Sequence, residues 1–519
     1  MSGRKKVGIL LIGVVALYGG AYFRQANRST AKSFAYPAPR IPAHRFTNLD
    51  DEHLMKLARI AARQSRSETR LGLIRPGQKT LMLIPPNQDQ RVLKAIITAL
   101  RERGVEAVGV TEAQIFQEAF GSTEELNNAS SVAAYAYLHV DGGVVDGVLE
   151  GYLWGWPQFL REDTRKQGPR REGNEHREVQ AAKIYLDKHP DYKIFLGRSS
   201  LSFRKWSEKE IGSRYLNNWH YPGISDLIVQ TSPFPDEILR LLEDRVLEVL
   251  PWAEEVRINE PEGTDLTFTL KEDEAELWYK GAFEPPNIEV NPFAGSMGVN
   301  QSESKGKIVV PAFKGTIAGH AGHAGYYPLL KLYIEGGLVR RVEGGGKLGE
   351  LWRQYLENPI LKEARFPGMP QPGYLYVYQG DLGMDPKMVS MGRPLAGRSG
   401  MIHWGFGIDS VTPELEAYAE KNNLPTQHGL HVHTFFPTYE IKLRDEKRRV
   451  KLSDKGHLTA LDDPEVQALA ARYGKADEVL KEEFIPQIPG INAQGDYQRD
   501  YASDPLSYEK RFWKSVLSN

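Results

Sequence analysis

Residues 79–110 hold a strand, a helix and a second strand in immediate succession, and that order leaves few folds open. Lys79-Thr-Leu-Met-Leu-Ile84 is a short apolar run fit for a buried strand, and it follows the turn signal Pro76-Gly77. Asn87 is placed to cap a helix whose apolar positions, Val92, Leu93, Ile96, Ile97 and Leu100, keep the 3.6-residue period. Gly104 ends that helix and Val105–Val110 reads as the next strand. Two strands joined through a helix that packs back on them run parallel, so this part of the chain is α/β. A helix from Glu178, a strand at Lys193–Leu196 and a helix from Asp236 to Val249, stopped by Pro251, continue the alternation to a boundary near residue 255.

Beyond 255 the pattern changes to short strands and glycine turns. Leu266–Leu270, Leu277–Lys280, Lys307–Pro311, Leu329–Ile334 and Leu338–Val342 are β segments, the last two joined by the hairpin turn Glu335-Gly336-Gly337. Tyr374–Tyr378, Met401–Phe406 and Leu430–Leu443 follow, then a helix from Pro464 to Tyr473 and a polar end. The expected fold is α/β: an N-terminal parallel-sheet α/β domain over 46–254, with an insertion near 118–176, followed by a β-rich α+β domain over 255–450 and a C-terminal extension over 451–519. The insertion carries the pair Trp154 and Trp156, expected to pack on the body, and a mixed-charge loop from Arg161 to Arg171.

The first 25 residues read as an export signal. Arg4, Lys5 and Lys6 precede the uncharged run Val7–Phe23, and Arg24 closes it. At 1.5 Å per residue the run reaches about 25 Å, close to the roughly 30 Å hydrocarbon core of a bilayer. It is either an uncleaved signal anchor or a signal peptide cut near Gly19-Gly20-Ala21. Basic residues ahead of the run put the N-terminus in the cytoplasm and the body outside it, tethered through a Pro- and Ala-containing linker over 26–45. The chain has no cysteine, which excludes thiol chemistry and zinc ribbons. Its 66 Lys plus Arg against 67 Asp plus Glu, a formal net charge of −1, excludes the cationic field of a generic nucleic-acid binder.

Any metal site must therefore come from histidine and carboxylate. His431 and His433 stand two apart in an apolar run, and strand residues two apart share a face, so both can point at one ion. His403, in an earlier strand-like segment, supplies a third imidazole. Three neutral imidazoles suit zinc first, then iron(II), cobalt or manganese. His320 and His323, in Gly319-His-Ala-Gly-His-Ala-Gly325, read as a glycine-rich loop near the hairpin, either a substrate loop over the metal or an exposed one.

Several colinear segments are similar to the thermophilic aminopeptidase T family of metallo-aminopeptidases. Leu73–Ile84 and Arg103–Val108 resemble its opening strands, and Glu262-Gly-Thr-Asp-Leu-Thr-Phe268 resembles its G-T-D-L-T signature. Pro286-Asn-Ile-Glu-Val-Asn-Pro292, Tyr333–Gly344, Asp381-Leu-Gly-Met-Asp-Pro386, Gly400-Met-Ile-His-Trp-Gly-Phe-Gly407 and His431-Val-His433 follow in the family's order. The resemblance implies Glu289, His403 and His431 as metal ligands, with His433 in place of the family's aspartate and Asp381 as the carboxylate before Leu-Gly. The family's second-metal glutamate has no counterpart in Pro394-Leu-Ala-Gly-Arg-Ser399, which implies a single, nitrogen-rich site. The expected function is an exported, membrane-tethered metal-dependent hydrolase acting on a peptide or other small molecule, with Asp381 or Glu289 as general base. The alternatives are a mononuclear iron(II) oxygenase and a non-catalytic binding or scaffold protein. The resemblance also implies a homodimer.

Overall fold

The computed structural model describes residues 36–518 apart from 47–49, 64–69, 85–87, 124–169, 198–200, 218–220, 222, 277–292, 295–311, 323–324, 390–397, 409–412, 423, 425–429 and 445–447. The export run Val7–Phe23, both tryptophans of the insertion, Glu289, His323 and the strands expected at Leu277–Lys280 and Lys307–Pro311 lie outside the described residues. Among the described residues no helix is long and apolar enough to cross a membrane.

The expected strand–helix–strand unit is present. β1 (Lys79–Ile84) leads through α2 (Gln90–Glu102), after an earlier α1 (Asp51–Arg63), to β2 (Glu106–Thr111). The cap of α2 is Asp89, whose carboxylate accepts from the amides of Arg91 and Val92, while Asn87 falls outside the described residues. β3 (Tyr192–Gly197) and β4 (Tyr215–Asn217) complete a wholly parallel sheet in the order β2-β1-β3-β4. Alternate residues of β1 face opposite layers, as the period of a strand requires. Met82 packs with α1, α2 and α6 (Ile224–Gln230), and Leu81 and Leu83 pack with α3 (Glu112–Phe120), α4 (Arg170–Lys188) and α5 (Leu201–Glu210). The result is a three-layer α/β sandwich.

The rest of the chain is a twelve-stranded antiparallel sheet. Its strands are β5 (Ala253–Asn259), β6 (Asp265–Thr269), β7 (Phe293–Ala294), β8 (Lys314–Gly322), β9 (Gly325–Glu335), β10 (Leu338–Gly344), β11 (Tyr376–Gly383), β12 (Ile402–Gly407), β13 (Leu430–Thr434), β14 (Thr438–Leu443), β15 (Arg449–Asp454) and β16 (His457–Leu458). Their order is β13-β12-β11-β10-β9-β8-β6-β5-β14-β15-β16, with β7 on β11. The β9–β10 hairpin turns on Gly336 and Gly337, both at positive φ, which matches the twist of the flanking strands. The stretch expected as one strand over Leu430–Leu443 divides at Phe435-Phe436-Pro437, and its halves pair at distant places in the sheet.

The sheet curls until β13 lies across β8. A Cβ at Gly319 would stand 2.7 Å from the His433 carbonyl oxygen, and one at Gly322 would collide with that of His431. The described residues Gly319–Gly322 of the Gly319-His-Ala-Gly-His-Ala-Gly325 motif are therefore no exposed loop: they end β8, and Gly319 and Gly322 let a second backbone approach. One core under this sheet takes in α7 (Asp236–Leu247) and α8 (Gly346–Glu357), and it begins at Phe234, ahead of residue 255.

Both ends of the described chain are tied down, which corrects the linker expectation for residues 36–45. Arg40 pairs with Ile485 in a β-bridge. The buried Arg45 guanidinium donates to the carbonyls of Ile228, Thr231 and Lys387 and pairs with Glu483 at 3.2 Å. In the C-terminal extension, α9 (Pro464–Ala470) packs on α7, and α10 (Pro505–Ser518) packs on β9 and seats Trp513 against Phe46 and Phe484.

Candidate functional site

Strands β11, β12 and β13 lie side by side, and their register sets out a small polar grid on one face. Asp381 is opposite His403, and His403 is opposite His433, so the three form one row across the strands. One step along, Gln379, Gly405 and His431 form the next row. The intervening residues Ile402, Trp404 and Phe406 point to the other face and are fully buried in the core. Strict alternation along β12 thus separates an apolar face from a polar one within six residues.

A register shift between Val377 and Gln379 adds a further side chain to this face. The bulge brings the Tyr378 hydroxyl over Gly405 and within 3.0 Å of His431 Nε2. Only glycine leaves room there: a Cβ at 405 would stand 2.5 Å from both Cζ and the hydroxyl of Tyr378 and 2.7 Å from Gln379 Oε1. The Gln379 amide donates to Asp381 Oδ2 at 2.5 Å. Behind β13, the Tyr327 hydroxyl donates to the carbonyls of Ala321 and His431, which pins β13 to β8.

The grid is almost dry. Asp381, His403, His431 and His433 are each 7% exposed or less. His403 Nδ1 and His433 Nε2 are 2.8 Å apart, and the His403 ring also lies over that of His431, with centroids 4.5 Å apart at 28°. Two imidazole nitrogens at that distance share either a proton or an ion. Two donors each bound at about 2.1 Å to one ion, at right angles, are separated by about 3 Å, so this pair fits the bite of a divalent metal. Among the described residues no group of three or more His, Asp or Glu side chains is arranged as a metal cage. His403 and His433 converge, Asp381 closes their row, and His431 turns Nε2 toward Tyr378.

Of the residues expected at the site, the structure brings together Asp381, His403, His431 and His433. His320 is elsewhere. It is wholly buried on β8 with Nδ1 2.5 Å from Glu262 Oε1, and it lines no loop over the histidine face. Glu289 and His323 lie outside the described residues. Gln379, which takes the carboxylate's place in the family resemblance when no shift is allowed before Leu-Gly, is in the neighbouring row, and Tyr378 and Gly405 were not anticipated. An interior glycine between two aromatic residues in Trp404-Gly-Phe406 is the signal that could have marked a close approach.

No family model and no curated protein sequence matches this chain. Among solved structures, the chain is similar to 2,5-dihydroxypyridine dioxygenase from Pseudomonas putida KT2440, with 14% identity and a TM-score of 0.41 over 79% of this chain and 98% of that one. It is also similar to the wild-type AmpT of Thermus thermophilus, with 12% identity and a TM-score of 0.37 over 78% of this chain and 98% of that one.

Proposed function

We propose that the chain is a metal-dependent hydrolase whose single ion is held by His403 and His433 on the β11–β13 face. The observation that carries this reading is the 2.8 Å approach of His403 Nδ1 to His433 Nε2 in a buried row that ends in Asp381. A zinc ion bound there would supply Lewis acidity and a water whose pKa falls to about 7. The protein's own groups do the rest. Asp381 is the carboxylate beside the pair and the general base, and the bond from the Gln379 amide to its Oδ2 orients it. Tyr378 orients the His431 ring, and the dry surroundings strengthen each of these contacts. A peptide or another small acyl compound is the substrate class, as the family resemblance implies.

A nitrogen-rich donor set also suits iron(II), so the oxygenase reading is separated by the metal itself. Elemental analysis of protein purified without chelator is expected to give close to one equivalent of zinc, with loss of metal and of peptide hydrolysis in His403→Ala and His433→Ala. One equivalent of iron with no hydrolysis would transfer the site to redox chemistry. Absence of metal, together with no heat of zinc or iron(II) binding on titration, would sink both enzyme readings. Export and tethering through Val7–Phe23 form a separate part of the proposal, supported by the basic flank and uncharged run. A reporter fused after Arg24 that stayed in the cytoplasm would contradict it.

A further inference from the structure

A second polar centre lies on the far side of β8, and the C-terminal extension closes over it. The turn between β5 and β6 supplies Glu260 and Glu262, β8 supplies His320, and β9 supplies Tyr326. The extension adds Tyr497, Tyr501 from a π-turn over Gln498–Ala502, and Glu509 from α10. His320 is 0%, Tyr501 1%, Glu262 and Glu509 5% and Glu260 7% exposed. Hydrogen bonds link them in series: Glu509 Oε1 to the Tyr501 hydroxyl at 3.2 Å, that hydroxyl to His320 Nε2 at 2.7 Å, and His320 Nδ1 to Glu262 Oε1 at 2.5 Å. The Tyr497 hydroxyl donates to the same Glu262 oxygen at 2.5 Å.

The series works only with one mobile proton in it. The Tyr501 hydroxyl has a single hydrogen and faces two groups, Glu509 and His320 Nε2. When that hydrogen goes to His320, Glu509 must carry a proton to donate to the tyrosine oxygen. When it goes to Glu509, His320 must be doubly protonated to donate instead. Both arrangements hold the same number of protons. Removing one leaves one hydrogen for two acceptors and adds a negative charge at Glu509, buried beside Tyr326, Tyr501 and Trp513.

We propose that this hydrogen-bonded series is a proton-operated latch, which holds the C-terminal segment 497–516 on the β-rich body and releases it as pH rises. Burial pushes the Glu509 carboxyl up to about 8, against the opposing bonds from Tyr501 and Trp513. The other titratable groups that face it add no fixed positive charge: Tyr501, Tyr326 and Tyr508 directly, and His320, Glu262, Glu260 and Tyr497 through Tyr501. Glu260 is raised too, by burial and then by the charge of Glu262, so it pushes the same way. A released Glu509 returns to its ordinary value of 4.5. The docked state therefore binds the proton more tightly, and docking weakens about tenfold per pH unit between about 4.5 and 8, with no further loss above. β8 also seats β13, so latch and histidine face share a strand, but the latch needs no metal and its test reads none.

Hydrogen exchange of the full chain tests it. Protection factors of amides 505–516, corrected for intrinsic exchange, are expected to fall about tenfold per unit from pH 5.5 to 7.5, while those of β9 and β10 stay level. Glu509→Gln keeps the size and hydrogen bonding without the charge and is expected to give a flat profile. Glu509→Met, neutral and of like length, serves if the glutamine variant does not fold. A flat profile in the wild type, or an equal fall in a neutral variant, would overturn the proposal.

Discussion

Gly405→Ala isolates the geometry of the histidine face in one methyl group. In a strand interior the exchange ordinarily stabilises by about 0.5–1 kcal/mol, because glycine loses more backbone freedom on folding. Here the new Cβ would stand 2.5 Å from Cζ and the hydroxyl of Tyr378, where ordinary contact begins near 3.4 Å, so the ring end must retreat by 3.4 − 2.5 = 0.9 Å. That retreat breaks the buried 3.0 Å bond to His431, at about 1–3 kcal/mol. Repacking the tyrosine ring and Gln379 adds about 1–3 kcal/mol. The clash outweighs the entropic gain, and the net expectation is a loss of about 1–5 kcal/mol in urea unfolding followed by tryptophan fluorescence. In a Tyr378→Phe background the hydroxyl bond is already gone, so the same exchange is expected to cost about 1–3 kcal/mol less. An equal cost in both backgrounds, or a Gly405→Ala protein as stable as the wild type, would refute the placement of Tyr378 over Gly405.

Three further outcomes follow from other parts of the molecule. Zinc at a hundred times its dissociation constant is expected to stabilise the wild type by about 2.7 kcal/mol and His433→Ala by almost nothing; equal stabilisation in urea titrations with and without zinc would remove His433 from the site. Burial disfavours the charge on His457, but its bonds to Asp462 and Glu482 outweigh that and raise its pKa to about 9. Its contribution is thus complete below about 6.5 and lost as pH rises through 9. His457→Gln is expected to cost about 2 kcal/mol at pH 6, allowing for the exposed Asp462, and much less at pH 10, by denaturant titration at each pH. Arg45→Met strands three carbonyl oxygens and Glu483, so a loss of about 3–5 kcal/mol is expected, with faster proteolysis ahead of residue 46.

The strand–helix–strand unit was legible because its signals are local. A buried apolar run, a 3.6-residue period and a terminal glycine lie within one stretch, and the hydrogen bonds they imply close over short distances. The hairpin at Gly336-Gly337 was legible for the same reason. Residues 36–45 were not, since their order comes from bonds to residues far along the chain, such as Asn492 to the Pro37 carbonyl, 455 positions away. The polar composition of the last residues likewise hid Tyr501, Glu509 and Trp513, which are buried where the β5–β6 turn, β8 and β9 present Glu262, His320 and Tyr326 and where Phe46 and Phe484 meet Trp513.

The histidines divide along the same line. Period two placed His431 and His433 on one face, and that much is a property of a single strand. Which ring nitrogens meet is a property of three strands. Had the β11 register not shifted between Val377 and Gln379, residue 378 would face the core with Trp404, and His431 would have no hydroxyl to turn toward. His320 shows the converse error. The three glycines and two alanines of its motif predict flexibility, whereas the absent side chains at Gly319 and Gly322 are what allows β13 to cross β8, and that crossing buries His320 on the opposite side from His431 and His433. A glycine-rich histidine motif inside a sheet-forming stretch is thus as consistent with a tight crossing as with a mobile loop. The two are separated by what the neighbouring strand must pass over, here the carbonyls of His431 and His433.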